Sequence, residues 1–264
     1  MESSDQVKIP VTYYPPANLG HLDSDVEGVF EVSLDEIALV LVDTWNSGDP
    51  EEGQEPSGTL KTTQAFLNTC RKHKVTIIHA PNHPVVDKYP QYHTIKETVQ
   101  NYMANYPTKS EPPPHLDWPP RDNNVQTQAK ALRTNPSDIA QKNTQRMKER
   151  DISRFLRPLE NEYVLATHDE FRYVLWKKGI KLLLYVGGAL NECMQHRDTG
   201  INFLMGMDSR QTAFTIVVLE DCSSAKPTPK LDERDMAYAM LEYFKCKITF
   251  VGDSKSITFN NTHE

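Results

Sequence analysis

The feature that most constrains the fold is a series of short segments that are apolar at almost every position. Most of these segments do not alternate between apolar and polar residues, so both faces of each strand are expected to be buried, as in a parallel sheet covered by helices. They are IALVLVD (37–43), VTIIHA (75–80), EYVLAT (162–167), KLLLYVG (181–187), FTIVVLED (214–221) and KITFVG (247–252). These segments predict a mostly parallel six-stranded sheet.

Helical patterns separate the predicted strands. Apolar residues recur at helical spacing in the segments 59–73, 169–178, 191–205 and 231–245, and Gly179 is a stop signal for the second of them. Repeated alternation of strand and helix, with right-handed crossovers, is typical of an α/β protein. The predicted fold is a three-layer α/β/α sandwich of Rossmann type.

One segment, from 81 to about 157, interrupts the alternation. It has no clear strand, carries five prolines between Pro112 and Pro120, and then shows two polar helical patterns at 127–134 and 137–149. Because it is too long for an ordinary loop, it predicts a Pro-rich helical insertion that serves as a lid or as an oligomer contact. No internal repeat and no second core are found, so a single domain is predicted over 1–264.

Composition excludes several classes of function. The net charge of -7, without a basic stripe, argues against nucleic-acid binding. The first residues lack the apolar core of a secretory signal, and no run of 18 apolar residues could cross a membrane.

The widely spaced cysteines are expected to be free thiols in a reducing compartment, which predicts a cytoplasmic protein; they are Cys70, Cys193, Cys222 and Cys246.

Candidate site residues follow the predicted strands. Ligands of an open parallel sheet bind beyond the carboxyl ends of its strands. The first strand ends in Asp43, which is followed by Trp45 and Asn46, and the fourth strand leads through two glycines to Cys193. These residues are therefore the first candidates for a site.

Cys193 has two interpretations from its position. At the start of a helix, the macrodipole would lower the thiol pKa and the free amides could hold an oxyanion, which is the setting of a nucleophile. Alternatively, it is an ordinary buried cysteine. Asp43 also has two interpretations, because a carboxylate at the end of an apolar strand is either a general base or a cap of the next turn.

The motifs ALVLVDTWN, LLLYVGGALNECMQHRDTGINFLMG and VVLEDCSSA resemble those of the isochorismatase-like cysteine hydrolase superfamily. The order and spacing agree over about 35–80 and 160–252, whereas 81–157 has no clear counterpart. The resemblance implies a parallel six-stranded sheet and hydrolysis of amide or related C–N bonds through a thioester. Isochorismate hydrolysis and nicotinamide deamidation are the family's best-known reactions.

The resemblance assigns roles to individual residues. Cys193 corresponds to the nucleophile and Asp43 to its general base. A non-proline cis peptide would lie at Gly188–Ala189, directing the amides of Ala189 and Cys193 toward an oxyanion. Trp45 and Asn46 would then line the substrate pocket.

The sequence departs from the family in two places. Where the family has a catalytic Lys, near the third strand, this chain has Ala166, Thr167 and His168, so His168 or a distant residue would have to substitute. One turn after Cys193, where small residues are usual, stands Arg197. Arg197 would bind a substrate carboxylate, hold a thiolate, or pair with a carboxylate such as Asp198 or Asp43.

Histidines after the second strand raise the question of a metal. Some relatives bind one there with an Asp-x-His…His set, and this chain offers His79, His83, Asp87 and His93. Pro81 stands where the Asp would be, and histidines in loops more often cap or face solvent. The expectation is therefore no metal and no cofactor.

Three functions remain in competition. The first is a hydrolase of a small amide or carbamoyl compound, with Cys193, Asp43 and His168 as its catalytic residues. The second is a binding or scaffold protein that kept the fold and lost the Lys. The third, a nucleotide-binding protein using GGALN as a phosphate turn, lacks both common phosphate motifs. A small-molecule substrate is expected, and the insertion leaves self-association open.

Overall fold

The computed structural model describes residues 5–14, 25–46, 55–56, 58–105, 127–128, 145, 147–205, 214–247 and 249–260. Its strands are β1 (Gln6–Tyr13), β2 (Val26–Ser33), β3 (Ile37–Val42), β4 (Thr76–Ala80), β5 (Tyr163–Val164), β6 (Leu182–Gly187), β7 (Thr215–Ser223), β8 (Phe250–Gly252) and β9 (Thr258–Asn260). Its helices are α1 (Gly58–Lys72), α2 (Pro90–Ala104), α3 (His168–Lys178), α4 (Cys193–His196), α5 (Ile201–Met205) and α6 (Glu233–Lys247).

The strands form one mostly parallel sheet of nine strands, in the order β2-β1-β8-β7-β6-β3-β4-β5, with β9 paired to β1. The run from β8 to β5 is parallel throughout and corresponds to the six predicted strands. The additional strands β1, β2 and β9 are joined by antiparallel pairing. The α/β fold class is confirmed, and the predicted number of six strands is wrong.

The apolar runs are explained by two cores, one on each face of the sheet. All six residues of β3 are buried. Ala38, Val40 and Val42 belong to one core, and Ile37, Leu39 and Leu41 belong to the other. Because successive side chains of a strand point to opposite faces, a strand covered on both sides needs apolar residues at every position.

Two predicted elements are shorter than their sequence patterns. The predicted strand 162–167 pairs only at Tyr163 and Val164, because Thr167 and Glu170 form a capping box that begins α3. The predicted helix 191–205 is broken into α4 and α5, since Arg197 has extended backbone dihedral angles.

The insertion is described in part. It contains α2, which the sequence pattern did not predict, and its end returns to the sheet through an isolated antiparallel bridge between Trp45 and Ile152. The predicted helices at 127–134 and 137–149 lie mostly outside the described residues. No helix in the described ranges is long and apolar enough to cross a membrane.

Candidate active site

The site lies where β3 and β6 end side by side. These strands are parallel neighbours, and Val42 is paired with Gly187. Gly187 has a φ of +108°, and a Cβ atom there would lie 2.3 Å from the carbonyl oxygen of Val42. Only glycine fits this close approach, which brings the segment after β6 against the residue that follows β3.

Asp43, directly after β3, points its carboxylate into the site. Its backbone has a φ of 45°, and its side chain is only 1% exposed. Oδ1 accepts a hydrogen bond from the amide of Asn82 at 2.9 Å, and Oδ2 accepts one from Nε of Arg197 at 2.8 Å. Burial raises the carboxyl pKa above its ordinary value, although Arg197 and the Asn82 amide act in the opposite direction.

Arg197 is the cation that joins the Asp43 carboxylate to the Cys193 thiol. While Nε binds Asp43, Nη2 lies 3.7 Å from Sγ of Cys193. The ion pair with Asp43 is one of the alternatives open from the sequence. A guanidinium stays protonated at any ordinary pH, so Arg197 supplies a fixed positive charge.

His168 is not brought to this site. It is the first residue of α3, its ring lies 5.9 Å from that of Phe203, and it does not line the cavity containing Asp43 and Cys193. Among the described residues, the cation beside Asp43 and Cys193 is Arg197, and a catalytic role of His168 stays a prediction. The capping box directs the chain into α3 at this point, whereas Arg197 reaches Asp43 from the segment after α4.

Cys193 lies half-buried at the start of α4. Burial, and then the charge of Asp43, raise the pKa of its thiol, while Arg197 and the amide of Ala189 lower it. The expectation of a pKa lowered by the helix macrodipole is wrong, because α4 has only four residues and burial outweighs it. The resting site is therefore a neutral thiol beside a carboxyl group whose pKa is also raised.

The backbone before Cys193 has the geometry that the resemblance implied. The peptide bond Gly188–Ala189 is cis. The amide of Ala189 is directed at the sulfur of Cys193. Within the described ranges, neither the amide of Ala189 nor that of Cys193 donates to a backbone carbonyl. Neither N–H group is therefore committed to a backbone carbonyl, and that of Ala189 already faces the sulfur.

A cavity of about 580 Å³ opens above these residues and is lined by Asp43, Cys193 and Arg197. Trp45 and Asn46 line it as predicted. The carbonyl oxygen of the Asn46 side chain already accepts a hydrogen bond from the amide of Asp151 at 3.0 Å. Asn46 therefore anchors the end of the insertion, and the role of Trp45 and Asn46 toward substrate stays a prediction.

Two residues of this region were not found from the sequence. Met147 and Arg150 line the cavity from the end of the insertion. The insertion has no counterpart in the resemblance, and its polar helical spacing favoured a solvent-facing interpretation.

The histidines in and after β4 are held by other contacts. His79 is fully buried, and its Nε2 lies 2.9 Å from Glu162. His83 lies 2.9 Å from Asp87, and Nε2 of His93 lies 3.0 Å from the Asp87 carbonyl oxygen. No group of three or more metal-binding side chains occurs in the part of the chain that the structure describes.

Glu162 is the centre of a buried ionic cluster beneath this region. Its carboxylate accepts hydrogen bonds from His79, from Arg71 at 2.7 and 3.0 Å, and from the amide of Leu159. These donors lower the Glu162 pKa to about 2 despite the opposing effect of burial. Burial lowers the pKa of His79 below its ordinary 6.5.

Glu162→Gln is expected to reduce the unfolding free energy at pH 7 by about 2–3 kcal/mol, because charged hydrogen bonds are lost from a buried carboxylate. A depressed carboxyl pKa stabilises the fold above pH 4.5, and this stability is lost as pH falls toward 2. The difference in unfolding free energy between the variant and wild type should therefore become smaller below pH 4.5. Urea unfolding across pH measures it, with exposed Glu160→Gln as the matched control; a difference that does not change with pH would contradict the assignment.

Comparisons with known proteins give similarities to solved structures alone. Neither a protein-family model nor a curated protein matches the chain. Among solved structures, a cysteine hydrolase from Pseudomonas syringae pv. phaseolicola is similar, with 12% identity and a TM-score of 0.48, covering 85% of this chain and 91% of that one. An N-carbamoylsarcosine amidase from Thermoplasma acidophilum has 17% identity and a TM-score of 0.43, covering 84% and 98%. An isochorismatase family protein from Desulfovibrio vulgaris has 15% identity and a TM-score of 0.44, covering 84% and 95%.

Proposed function

We propose that this protein is a cysteine hydrolase that cleaves the C–N bond of a small amide or carbamoyl compound through a thioester. The observation that carries the proposal is the single cluster of a buried carboxylate, a fixed cation and a thiol formed by Asp43, Arg197 and Cys193. These groups face a cavity of about 580 Å³, and they lie beside two backbone amides without backbone acceptors in the described ranges. A nucleophile, a base and an oxyanion site are the parts that acyl transfer requires.

The first half-reaction forms the thioester. Asp43 takes the proton of the Cys193 thiol as the sulfur attacks the carbonyl carbon, and the amides of Ala189 and Cys193 donate to the resulting oxyanion. The intermediate collapses by breaking the C–N bond. The nitrogen leaves with the proton that Asp43 had accepted, so ammonia or an amine departs and Asp43 is again a carboxylate.

The second half-reaction restores the enzyme. Asp43 removes a proton from water, whose oxygen attacks the thioester carbon. The C–S bond breaks, the sulfur takes the proton from Asp43, and an acid leaves. Arg197 keeps its proton throughout, and its positive charge stabilises whichever of Asp43 and Cys193 is anionic.

Burial acts on both partners of this proton transfer. It raises the pKa of Asp43, which makes the carboxylate a stronger base, and it also raises the pKa of Cys193, which makes the thiol a weaker acid. The positive charge of Arg197 lowers both pKa values and so stabilises the thiolate as it forms.

The free state of all four cysteines is compatible with the reducing cytoplasm, where we place the protein.

Alkylation tests the nucleophile directly. In a Cys246→Ser background, iodoacetamide is expected to label Cys193 faster than Cys70 and Cys222, because both of these thiols are buried and have strongly raised pKa values, about 12 for Cys222. The rate should rise with pH up to the raised pKa of Cys193. Peptide mass mapping gives the site, and ammonia release from an amide panel gives turnover. Equal labelling together with no hydrolysis would favour the scaffold interpretation.

A further inference from the structure

The cavity carries one positive charge that the catalytic cluster does not use. Its described lining contains five charged side chains, two acidic and three basic. Arg197 is paired with Asp43, and Lys226 is paired with Glu192 at 2.9 Å. Arg150 is the cation that remains. In a chain with a net charge of -7, this excess of positive charge at the cavity needs an explanation.

Arg150 has no carboxylate partner among the described residues. Its guanidinium carbon lies 4.3 Å from the centre of the Trp45 ring, and Nη1 lies 3.0 Å from the sulfur of Met147. Neither contact neutralises the charge. One face of the guanidinium is therefore covered by an aromatic ring, while donors on its edge remain available to a ligand.

The backbone around Arg150 is fixed in place. Its carbonyl oxygen accepts a hydrogen bond from Nζ of Lys88. The next residue, Asp151, is bound on both sides, because its amide donates to the Asn46 side chain and its carbonyl oxygen accepts from the Asn46 amide. These hydrogen bonds hold the end of the insertion beside the residues that follow β3, and this position places Arg150 at the cavity.

We propose that Arg150 binds a carboxylate of the substrate, so that the substrate is a small amide or carbamoyl compound that also carries a carboxylate. This inference rests on the proposed function for the reaction, but its binding step can be tested separately. A planar guanidinium can donate two parallel hydrogen bonds to a carboxylate. The single excess charge of the described lining matches the single charge of a carboxylate better than the double charge of a phosphate.

The other cavity cations are committed elsewhere. Arg197 is needed by Asp43, whose buried carboxylate would otherwise lose its ionic partner. Lys226 has Glu192 beside it, and its exposed charge is screened by solvent and salt, so it attracts a ligand only weakly. Arg150 is therefore expected to determine whether anionic amides are preferred over neutral ones.

The test measures binding in a Cys193→Ala background, where turnover is blocked. Calorimetry compares malonamate, succinamate and glutaramate with the neutral amide butanamide. The best carboxylate ligand is expected to bind about 10- to 100-fold more tightly than butanamide, the range typical of charge-assisted hydrogen bonds. Adding Arg150→Gln should remove this preference, while Lys226→Gln, the matched control, should leave it unchanged.

The outcomes separate the inference from the proposed function. Equal binding of anionic and neutral amides, or a preference that survives Arg150→Gln, would overturn the carboxylate site. Tighter binding of inorganic phosphate than of every carboxylate would overturn it as well. If wild type hydrolyses neutral amides equally well, the hydrolase stands and the substrate class is wrong. If carboxylates bind through Arg150 but no amide is cleaved by wild type, the site stands and the hydrolase does not.

Discussion

Replacing Cys193 with alanine is expected to lower kcat/KM for amide hydrolysis by about 10⁴-fold or more, since removal of a covalent nucleophile leaves only binding and oxyanion stabilisation. The fold should tolerate the change, because the thiol is half-buried at the edge of the cavity and its loss removes one sulfur atom. Ammonia release measures turnover, and intact mass spectrometry of the wild type during turnover detects the thioester.

Cys222 provides the matched control for this prediction. It lines the same cavity, but it is buried and the pKa of its thiol is raised to about 12. Cys222→Ala should change kcat/KM by only a few-fold. Comparable losses in the two variants would indicate a general disturbance of the cavity, and retained turnover in Cys193→Ala would show that the sulfur is not the nucleophile.

The parallel strands were predictable because each of them must be apolar on both faces. β3 and β6 are buried along almost their full lengths, so their segments differ sharply from surrounding sequence. β1 and β2 lie toward the edge of the sheet, and alternate residues of β1 are exposed. Such a half-buried segment has a weaker signal in a single sequence than a strand that is apolar at every position.

The positions of Asp43 and Cys193 were predictable for a related reason. Residues that follow neighbouring parallel strands meet at one edge of the sheet, and the pairing of Val42 with Gly187 places these two together. The electrostatics could not be predicted in the same way. The thiol pKa depends on the length of α4 and on burial, neither of which can be read from NECMQHRDTG.

Tertiary geometry determines which cation lies beside Asp43 and Cys193. Sequence position favoured His168, because it stands where the family has its Lys, while several partners for Arg197 remained open. Arg197 lies in the break between α4 and α5, where its backbone is extended. From this position its guanidinium contacts both Asp43 and Cys193. Arg150 was beyond prediction because its approach depends on contacts of the insertion with Asn46 and Lys88.

Arg197→Gln is expected to lower kcat/KM by about 10²- to 10³-fold, the range found when an electrostatic group of a preorganised site is removed. Asp43, only 1% exposed, would lose its ionic partner, so its pKa would rise further and less carboxylate would be available as base. Arg197→Lys should retain more activity, because the positive charge remains although the forked donor geometry does not. Arg234→Gln, on the exposed surface of α6, is the matched control.

The pH dependence of stability distinguishes this electrostatic role from simple packing. In Arg197→Gln, the folded state would bind a proton at Asp43 more tightly than the unfolded state, so the variant should be relatively more stable at low pH and lose stability as pH rises through the raised pKa. At pH 7, the unfolding free energy should fall by about 2–3 kcal/mol, less than for a fully buried pair because the Arg197 side chain is 33% exposed. Urea unfolding from pH 4, just above the ordinary carboxyl pKa of 3.8, up to pH 8 measures this trend. A pH-independent loss, or equal activities of the Gln and Lys variants, would show that the charge of Arg197 does not hold Asp43 in its basic form.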